Sequence, residues 1–440
     1  MADHIPVIPR DAGDEQSFGP GDPGGMNDPA FADQEFREFS VPPNTQRIVD
    51  DLVALTPNSR AMRLFRPGLL DEGVDGALPT PDPVDFDIFY ETQGLREPST
   101  PLNVPGVGEI EIWSFRDRAF DGDVDPEPDR AVWPARTIRV KEGQIVHSEM
   151  NSRRDMHTIH HHGIEPTAAN DGVGHLTFDV QDLHYVYQWK AAEAGTYFYH
   201  CHVNTVLHFE MGMYGMLVID PDVAGAPFID GGAGAVYRRD EIVPYQKEAF
   251  WVADDIDRRW HANADHGHEG DSGVFGDHFV PINSDHNPRF HDFNPDVFVV
   301  SGVPAHHVNG ATPDNFLIDA DGEIGLVTPR ISRSAGEKLL IRALNASYTT
   351  TRWRFAPSIA GEVIAADGRT YGHAPFGQYS SPYTLASKGH ELELTTAQRR
   401  DILVDAGQMA LGDHFVEIGY YHWITNNLIQ RIRVRIIVEA

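Results

Sequence analysis

The chain has 440 residues, of which 41% are hydrophobic and 23% are charged, and this composition excludes a disordered or fibrous protein. Acidic residues outnumber basic ones by 66 to 35, so the formal net charge is −31. We therefore expect neither nucleic acid nor an anionic membrane surface as a partner, because both attract a basic face. The length exceeds that of one ordinary core and favours two domains.

Cys201 is the single cysteine, so the sequence offers no intrachain disulfide that would indicate the redox compartment. No apolar run approaches the roughly 20 residues of a membrane span. The first residues, from Met1 to Pro6, lack the basic and apolar regions of a secretion signal. We expect either a cytoplasmic protein or a chain from which such a signal has been removed.

In chain order, residues 1–104 are rich in Pro, Gly, Asp and Glu and predict an extended N-terminal arm. Residues 105–222 consist of short apolar or alternating runs separated by turn residues, which is typical of strands. Residues 223–246 begin with a Gly-rich stretch and are interpreted as a linker. Residues 247–440 return to the strand-like pattern. The sequence thus predicts an all-β protein with two β-sandwich domains.

A long loop in the second domain, residues 258–292, is rich in histidine and aspartate. Such a loop could hold an accessory metal or deliver a cationic substrate such as Mn(II), although a solvated polar loop is the commoner reason for this composition. Its histidines are His261, His266, His268, His278, His286 and His291.

The first histidine motif extends from His157 to His162. Successive side chains of an extended strand point to opposite faces. His160 and His162 therefore share one face, His161 has the other, and His157 can point to the domain interior.

The second motif surrounds the cysteine, with His200 and His202 on one face and Cys201 on the other. The loop that follows returns His208 and Met213. Two imidazoles, a thiolate and a thioether are the ligands of a blue-copper electron-transfer site. On the outer face, His160, His162, His200 and His202 could bind further copper, and electrons would reach it through the peptide links that join Cys201 to its two neighbours.

These motifs resemble those of the multicopper oxidases. His157-Thr-Ile-His-His-His-Gly163 looks like the first copper segment of the family, and His200-Cys-His202 with His208 and Gly212-Met213 looks like the last. The resemblance implies two cupredoxin-like Greek-key domains, with copper in residues 105–222 and no type 1 site in residues 247–440. It also implies a periplasmic or extracellular location.

The same resemblance assigns a role to each matching residue. His157, Cys201 and His208 would bind type 1 copper, with Met213 as the axial ligand. His160 would be a type 2 ligand, and His162, His200 and His202 would hold a type 3 pair. Cys201, His200 and His202 would carry the electrons of catalysis.

The sequence departs from the family pattern in the second domain. A trinuclear copper cluster takes histidine pairs from two domains, but Arg352-Trp-Arg-Phe355 and Tyr421-His-Trp-Ile424 stand where the second domain would supply them. Two-domain relatives, including copper nitrite reductases, are trimers with catalytic copper between subunits. We therefore expect a homo-oligomer, with a trimer favoured and copper ligands shared between chains. Asn426 occupies the position of the missing histidine, and His422 is near it.

Three functions remain open at this point. The first, which we adopt, is an oxidase that takes single electrons from a small reducing substrate, a metal ion such as Mn(II) or a phenol, and passes them to dioxygen, with Asp171 and Glu210 as candidate proton carriers. The second is a nitrite reductase-like enzyme with type 1 and type 2 copper. The third is a blue electron carrier whose outer face binds no metal.

Overall fold

The computed structural model describes residues 87–95, 101–120, 132–151, 157–164, 166, 170–173, 184–203, 205–223, 230–262, 293–307, 316–322 and 324–440. These residues form strands joined by turns and a few short helices, so the expectation of an all-β fold is confirmed. None of the helices in this part of the chain has the length and apolar character needed to cross a bilayer. Most of the predicted arm and residues 263–292 of the His-rich loop lie outside the described residues.

The described part of the first domain is built from two four-stranded sheets and one separate two-stranded hairpin. Its elements are β1 (Ile88–Leu95), β2 (Leu102–Val104), β3 (Gly108–Ile110), β4 (Ser114–Phe120), β5 (Ala135–Lys141), β6 (Ile145–Asn151), β7 (His160–His162), β8 (His184–Lys190), β9 (Gly195–His200), α1 (Thr205–Glu210) and β10 (Tyr214–Asp220). One sheet has the order β4-β1-β6-β8 and the other the order β5-β10-β9-β7. Side chains from both sheets, among them Phe115, Tyr187 and Leu217, form one buried core.

Strand β1 changes the boundary that the sequence predicted at residue 105. It lies parallel to β6 and antiparallel to β4, so it occupies an interior position in its sheet rather than an extended arm. Thr92 on this strand is completely buried. The sequence did not predict this strand because its hydrogen-bonding partners, β4 and β6, are separate segments downstream. No local pattern around Ile88 indicates that pairing. The first domain therefore begins at or before Ile88.

Part of the predicted linker, residues 223–246, also has regular structure. β11 (Gly234–Arg238) and β12 (Glu241–Tyr245) form an antiparallel hairpin. Val236 and Tyr245 of this hairpin pack against Leu340 and Ile364 of the second domain. The segment is therefore attached to the second domain instead of being a free connection.

The second domain also contains two sheets. Its elements are β13 (Lys247–Ile256), α2 (Arg258–His261), β14 (Val297–Val300), β15 (Val303–Pro304), β16 (His306–His307), β17 (Phe316–Leu317), β18 (Arg330–Ser332), β19 (Lys338–Asn345), β20 (Thr350–Phe355), β21 (Gly361–Ala366), β22 (Arg369–Thr370), β23 (Tyr383–Thr384), β24 (Glu391–Leu394), β25 (Arg399–Asp405), β26 (Gly412–Tyr421) and β27 (Leu428–Glu439), with 3-10 turns at Leu385–Lys388 and Ala406–Gln408. The sheets run β15-β14-β13-β19-β25-β21-β22 and β16-β17-β27-β26-β20-β24. Trp251 and Trp353 stack in the core, with ring centroids 6.2 Å apart.

The two domains share an apolar contact. Strands β9 and β10 and helix α1 of the first domain meet strands β13 and β19 of the second. The buried side chains of this contact include Phe198, Phe209, Tyr214, Met216 and Val218 from one side and Phe250, Val252, Leu344 and Ala346 from the other. Because β9 also leads into Cys201, this contact fixes the cysteine strand against the second domain.

A buried ionic network lies beside this apolar contact. The Glu248 carboxylate accepts hydrogen bonds from Arg342 Nε at 2.6 Å and from Arg139 Nη1 at 2.7 Å. Arg342 also donates to Thr196 Oγ1 at 2.7 Å, which ties the second domain to β9. Burial alone would raise the pKa of Glu248, but the two arginines outweigh it and lower that pKa. The charges compensate each other and join the domains.

Removing one member of the network tests its contribution. Arg342→Met should lower the free energy of unfolding by about 3 kcal/mol, because Glu248 and Asp401 stay buried with less compensation. The matched change Arg354→Met removes an exposed arginine that pairs with Glu391, and it should cost less than about 1 kcal/mol. Urea unfolding followed by tryptophan fluorescence measures both. Equal costs for the two variants would contradict the assigned role of the network.

Candidate metal centre

Strands β7 and β9 determine which side chains share a face. They pair antiparallel, with His160 opposite His200, His161 opposite Tyr199, and His162 opposite Phe198. Directly opposed residues of a sheet project to the same side. The pairing therefore places His160, His162 and His200 on one face, as the alternation of side chains predicts.

The other face carries the cysteine and two histidines in the domain interior. Cys201 Sγ lies 3.7 Å from His157 Nδ1 and 3.2 Å from His208 Nδ1. The three ligand atoms all lie within 4.8 Å of one another. Exposure is 1% for His157 and 0% for both Cys201 and His208. We call these three residues the inner set.

Met213 lies beside the inner set in the same buried core. Its backbone N–H donates to the carbonyl of His208, and its carbonyl accepts from the N–H of Cys201, both at 3.0 Å. These bonds hold the returning loop against the cysteine. Whether the sulfur of Met213 reaches a metal stays a prediction, although its side chain is completely buried.

Helix α1 and the glycine after it return His208 to the cysteine. The helix contains His208 and ends at Glu210, and Gly212 follows with a φ of +109°. A Cβ at this position would lie 2.5 Å from Nε1 of Trp133 and 2.8 Å from the carbonyl oxygen of Trp113. Only glycine fits both the conformation and the space, which explains the Gly212-Met213 pair.

The outer cluster consists of His160, His162, His200 and His202. The ring centroid of His160 lies 5.2 Å from those of His162 and His200 and 5.4 Å from that of His202. Candidate ligand atoms of His160, His162 and His200 all lie within 4.8 Å of one another. His202 is adjacent to this trio but is not part of it.

Hydrogen bonds orient the imidazoles of the outer cluster. His160 Nδ1 donates to the carbonyl of Asp171 at 2.7 Å, and His200 Nδ1 donates to the carbonyl of Cys201 at 2.8 Å. A ring nitrogen facing a carbonyl must carry the proton, so Nε2 is the ring nitrogen of His160 and His200 that can bind a metal. His200 Nε2 lies 3.3 Å from His162 Nδ1 and therefore faces the cluster. Thr205 Oγ1 lies 3.1 Å from His202 Nδ1 and can orient that ring in the same way.

Two imidazoles of the outer cluster, His162 and His200, have lowered pKa values. Burial lowers the pKa of His162 to about 3, with Arg399, His160 and His202 adding to the effect. Burial and His160 likewise lower the pKa of His200 well below its ordinary value. A neutral imidazole is the form that binds metals. His162 and His200 are therefore in the metal-binding form at neutral pH.

The donor chemistry of the inner set fits copper. A buried thiolate and two imidazole nitrogens, with a thioether in the same core, are soft and intermediate ligands that select copper over magnesium or calcium. Complete burial excludes water from the thiolate, as a blue-copper site requires. The outer imidazoles suit copper as well.

Some sequence expectations are not met by the geometry. His422 Nδ1 accepts backbone N–H groups of Ile424 at 3.1 Å and Thr425 at 3.2 Å, so this nitrogen is already engaged within the turn. Asn426 Oδ1 accepts from Arg352 at 2.7 Å. Both residues shape the β26–β27 turn. Neither is poised as a metal ligand.

His261 and Glu210 also differ from expectation. His261 was assigned to the polar loop, but it lies in α2, is 5% exposed, and its Nδ1 is 2.6 Å from the carbonyl of Glu111. The Glu210 carboxylate accepts from the N–H of Asp257 at 2.9 Å and lies 3.4 Å from His261 Nε2. Burial, together with Asp255, raises the pKa of Glu210 well above its ordinary value. Both side chains therefore belong to the contact between the domains.

Sequence reasoning missed residues that reach the centre from the second domain. The guanidinium of Arg399 lies 5.4 Å from the ring centroid of Phe198, and the Phe198 ring stacks on His162 with centroids 4.4 Å apart. A Cβ at Gly163 would lie 2.6 Å from Arg399 Nη2. No local sequence signal identifies such a contact. Within the described residues, the second domain brings an arginine to the outer cluster and no histidine.

Comparisons with known proteins agree on copper. The sequence model of a family described as "Multicopper oxidase" matches residues 131–224. Copper-containing nitrite reductase of Neisseria meningitidis is 32% identical over 117 residues, which are 26% of this chain and 28% of that protein. Copper resistance protein A of Escherichia coli is 27% identical over 286 residues, 62% of this chain and 41% of that protein. The chain thus spans less than half the length of these relatives.

Among solved structures, the blue copper oxidase of Nitrosomonas europaea aligns with a TM-score of 0.46 and 19% identity, covering 80% of this chain and 84% of that one. A likeness at this level carries no information about activity.

Adjacent histidines on opposite faces provide a test of the outer cluster. His162→Phe should reduce the copper bound per chain, because one imidazole of the compact trio is lost. His161→Phe should leave copper unchanged, because His161 is buried on the opposite face beside Trp189, with ring centroids 5.1 Å apart. Atomic absorption of the loaded proteins gives the copper content, and an intact blue absorption band shows that each variant is folded. Equal copper loss in both variants would contradict the assignment of faces.

Proposed function

We propose that the chain is a copper-dependent oxidoreductase that takes single electrons from a small reducing substrate and uses them to reduce dioxygen, in line with the match of residues 131–224 to the multicopper oxidase family model. The observation that carries this proposal is the position of Cys201. Its thiolate lies in the inner set, while the residues on either side of it, His200 and His202, lie in the outer cluster. One stretch of backbone therefore joins two sites of different chemistry.

Copper, when bound, supplies a one-electron couple at the inner set and a site for oxygen reduction at the outer cluster. His157, Cys201, His208 and Met213 would hold the first, and His160, His162, His200 and His202 the second. The carbonyl of Cys201 accepts a hydrogen bond from His200 Nδ1 at 2.8 Å. This hydrogen bond adds a second link between the cysteine and the outer cluster, in parallel with the peptide bond.

Proton supply is a further requirement, because reduction of dioxygen to water consumes one proton for each electron. Asp171 Oδ1 lies 3.4 Å from His160 Nδ1, and its side chain is 26% exposed. The carboxylate can exchange protons with solvent beside the outer cluster. Glu210 is bound instead within the domain contact, so we assign the proton-carrying role to Asp171 alone.

We propose that the reducing substrate is a metal ion such as Mn(II) or a phenol, in line with the resemblance of the motifs to those of the multicopper oxidases. The relation to copper resistance protein A favours a metal ion. The family resemblance also favours a periplasmic or extracellular location.

Cys201→Ser tests the coupling of the two sites. The variant should lose the blue absorption band and its oxygen consumption, because serine offers no thiolate to the inner set. It should keep the copper of the outer cluster, whose imidazoles are unchanged. Absorption, electron paramagnetic resonance and an oxygen electrode measure the three properties. Oxygen consumption at the rate of the unaltered protein would refute the proposal.

A nitrite reductase-like enzyme is the second candidate. It is favoured by the compact trio of His160, His162 and His200, which resembles a site for one copper ion, and by the similarity to the Neisseria enzyme. A magnetically coupled copper pair in the outer cluster would support the oxidase. A single uncoupled copper together with nitrite-dependent oxidation of the reduced protein would support the reductase. A third reading, an electron carrier, requires that His200→Ala and His202→Ala leave electron transfer intact.

We further propose that the chain forms a homo-oligomer, with a trimer favoured, in which copper ligands are shared between chains. The tip of the β26–β27 hairpin exposes Trp423 by 70% and Ile424 by 68%, and adjoining exposed apolar side chains mark contact surfaces. The outer cluster receives no histidine from the described residues of the second domain. A neighbouring chain is therefore the natural source of further ligands.

The oligomer is tested by Trp423→Asp, which places a charge in the apolar tip. We expect dissociation in sedimentation equilibrium and loss of outer copper, with the blue band retained. Tyr379→Asp is the matched control, since Tyr379 is 90% exposed on a different loop and should have no effect. A monomeric unaltered protein with full copper content would contradict shared ligands.

A further inference from the structure

The inner set is buried, and an indole lies against one of its two imidazoles. His157, Cys201 and His208 are at most 1% exposed, so a reducing substrate cannot touch either imidazole. The ring of Trp113 meets that of His208 edge to face, with centroids 5.4 Å apart and an interplanar angle of 74°. Trp113 is itself completely buried. An electron that enters at His208 must therefore cross the indole or a comparable thickness of protein.

The far side of this indole is connected to the surface. Trp113 Nε1 donates a hydrogen bond of 2.9 Å to Oε1 of Glu111. Glu111 is exposed. An unbroken series of contacts thus leads from solvent through the Glu111 carboxylate and the Trp113 indole to His208 and the thiolate.

We propose that Trp113 relays electrons into the inner set and that Glu111 selects cationic electron donors, with a reduced metal ion as the substrate class. The inference rests on the proposed function, because it requires a redox metal at the inner set. The donor loses one electron and its charge rises by one, while Cu(II) held by His157, Cys201 and His208 becomes Cu(I). Trp113 and Glu111 end the step unchanged, and no proton moves.

The relay is held rigidly by both domains. The N–H of Trp113 donates to the carbonyl of Met211 at 2.6 Å, and the carbonyl of Glu111 accepts from His261 Nδ1 at 2.6 Å. Between them, Ile112 is 1% exposed and packs with Ile256, Val297 and Val299 of the second domain. A fixed geometry keeps the ring contact with His208 constant, as efficient electron transfer requires.

The charge around the entry favours a cation. Glu109 is exposed two residues before Glu111, and the formal net charge of the chain is −31. A carboxylate and a negative field attract a metal ion and repel an anion. A neutral phenol gains nothing from either.

Anaerobic stopped-flow reduction of the copper-loaded protein tests the proposal, with the bleaching of the blue band as the signal. Fe(II) serves as the cationic donor and ferrocyanide as the anionic one. Glu111→Gln should slow reduction by Fe(II) about fivefold, the effect of removing a unit charge roughly 8 Å from a divalent donor in water. It should not slow ferrocyanide. Glu109→Gln removes the same charge nearby without touching Trp113, and it should have a clearly smaller effect.

Trp113→Phe should slow both donors by about tenfold, which corresponds to ~1.4 kcal/mol in the activation free energy. The copper content, the position of the blue band and the reduction potential should stay the same. If the potential shifts enough to explain the slower rate, or if the rates are unchanged, the relay is refuted. If Trp113→Phe fails to fold, the test rests on the rates at which the Glu111→Gln variant is reduced by Fe(II) and by ferrocyanide. Equal slowing by Glu111→Gln and Glu109→Gln would then overturn the proposal. Failure of the proposed function is recognised separately, because the unaltered protein would then show no blue band to bleach.

Discussion

Consecutive side chains of an extended backbone point in opposite directions, and the metal centre depends on this constraint at His200, Cys201 and His202. A soft thiolate and imidazoles on one strand cannot converge on one metal ion without bending the strand. They are instead divided between an inner set, closed to water, and an outer cluster, which is partly open. The separation lets each site keep its own chemistry while the backbone keeps them a few bonds apart.

The second domain supports this arrangement without supplying histidines to it among the described residues. Its strands β13 and β19 pack on β9 and β10 through apolar side chains, and Glu248 with Arg342 and Arg139 holds the contact together. Arg399 extends the contact to Phe198 and thereby to the outer cluster. Such a domain positions strand β9, which leads into Cys201, and covers one side of it.

The sequence predicted those features of the site that depend on local residue patterns. The alternation of histidines and the return of His208 after Cys201 indicated two back-to-back sites, and the resemblance to multicopper oxidases drawn from them is confirmed. Contacts between distant segments were not predictable. Strand β1 pairs with β6 far along the chain, His261 turns inward to meet Glu111, and Arg399 crosses the domain boundary. None of these contacts produces a periodic pattern or a change of composition in the sequence around the residue concerned.

The division into two sites is tested most directly by a crystal structure of the copper-loaded protein with anomalous diffraction at the copper edge. We expect one anomalous peak in contact with Cys201 Sγ and with Nδ1 of His157 and His208. We expect separate density facing Nε2 of His160 and His200, on the other side of the strand. A single copper bound by Cys201 together with His200 or His202, or no copper near the sulfur, would contradict this division.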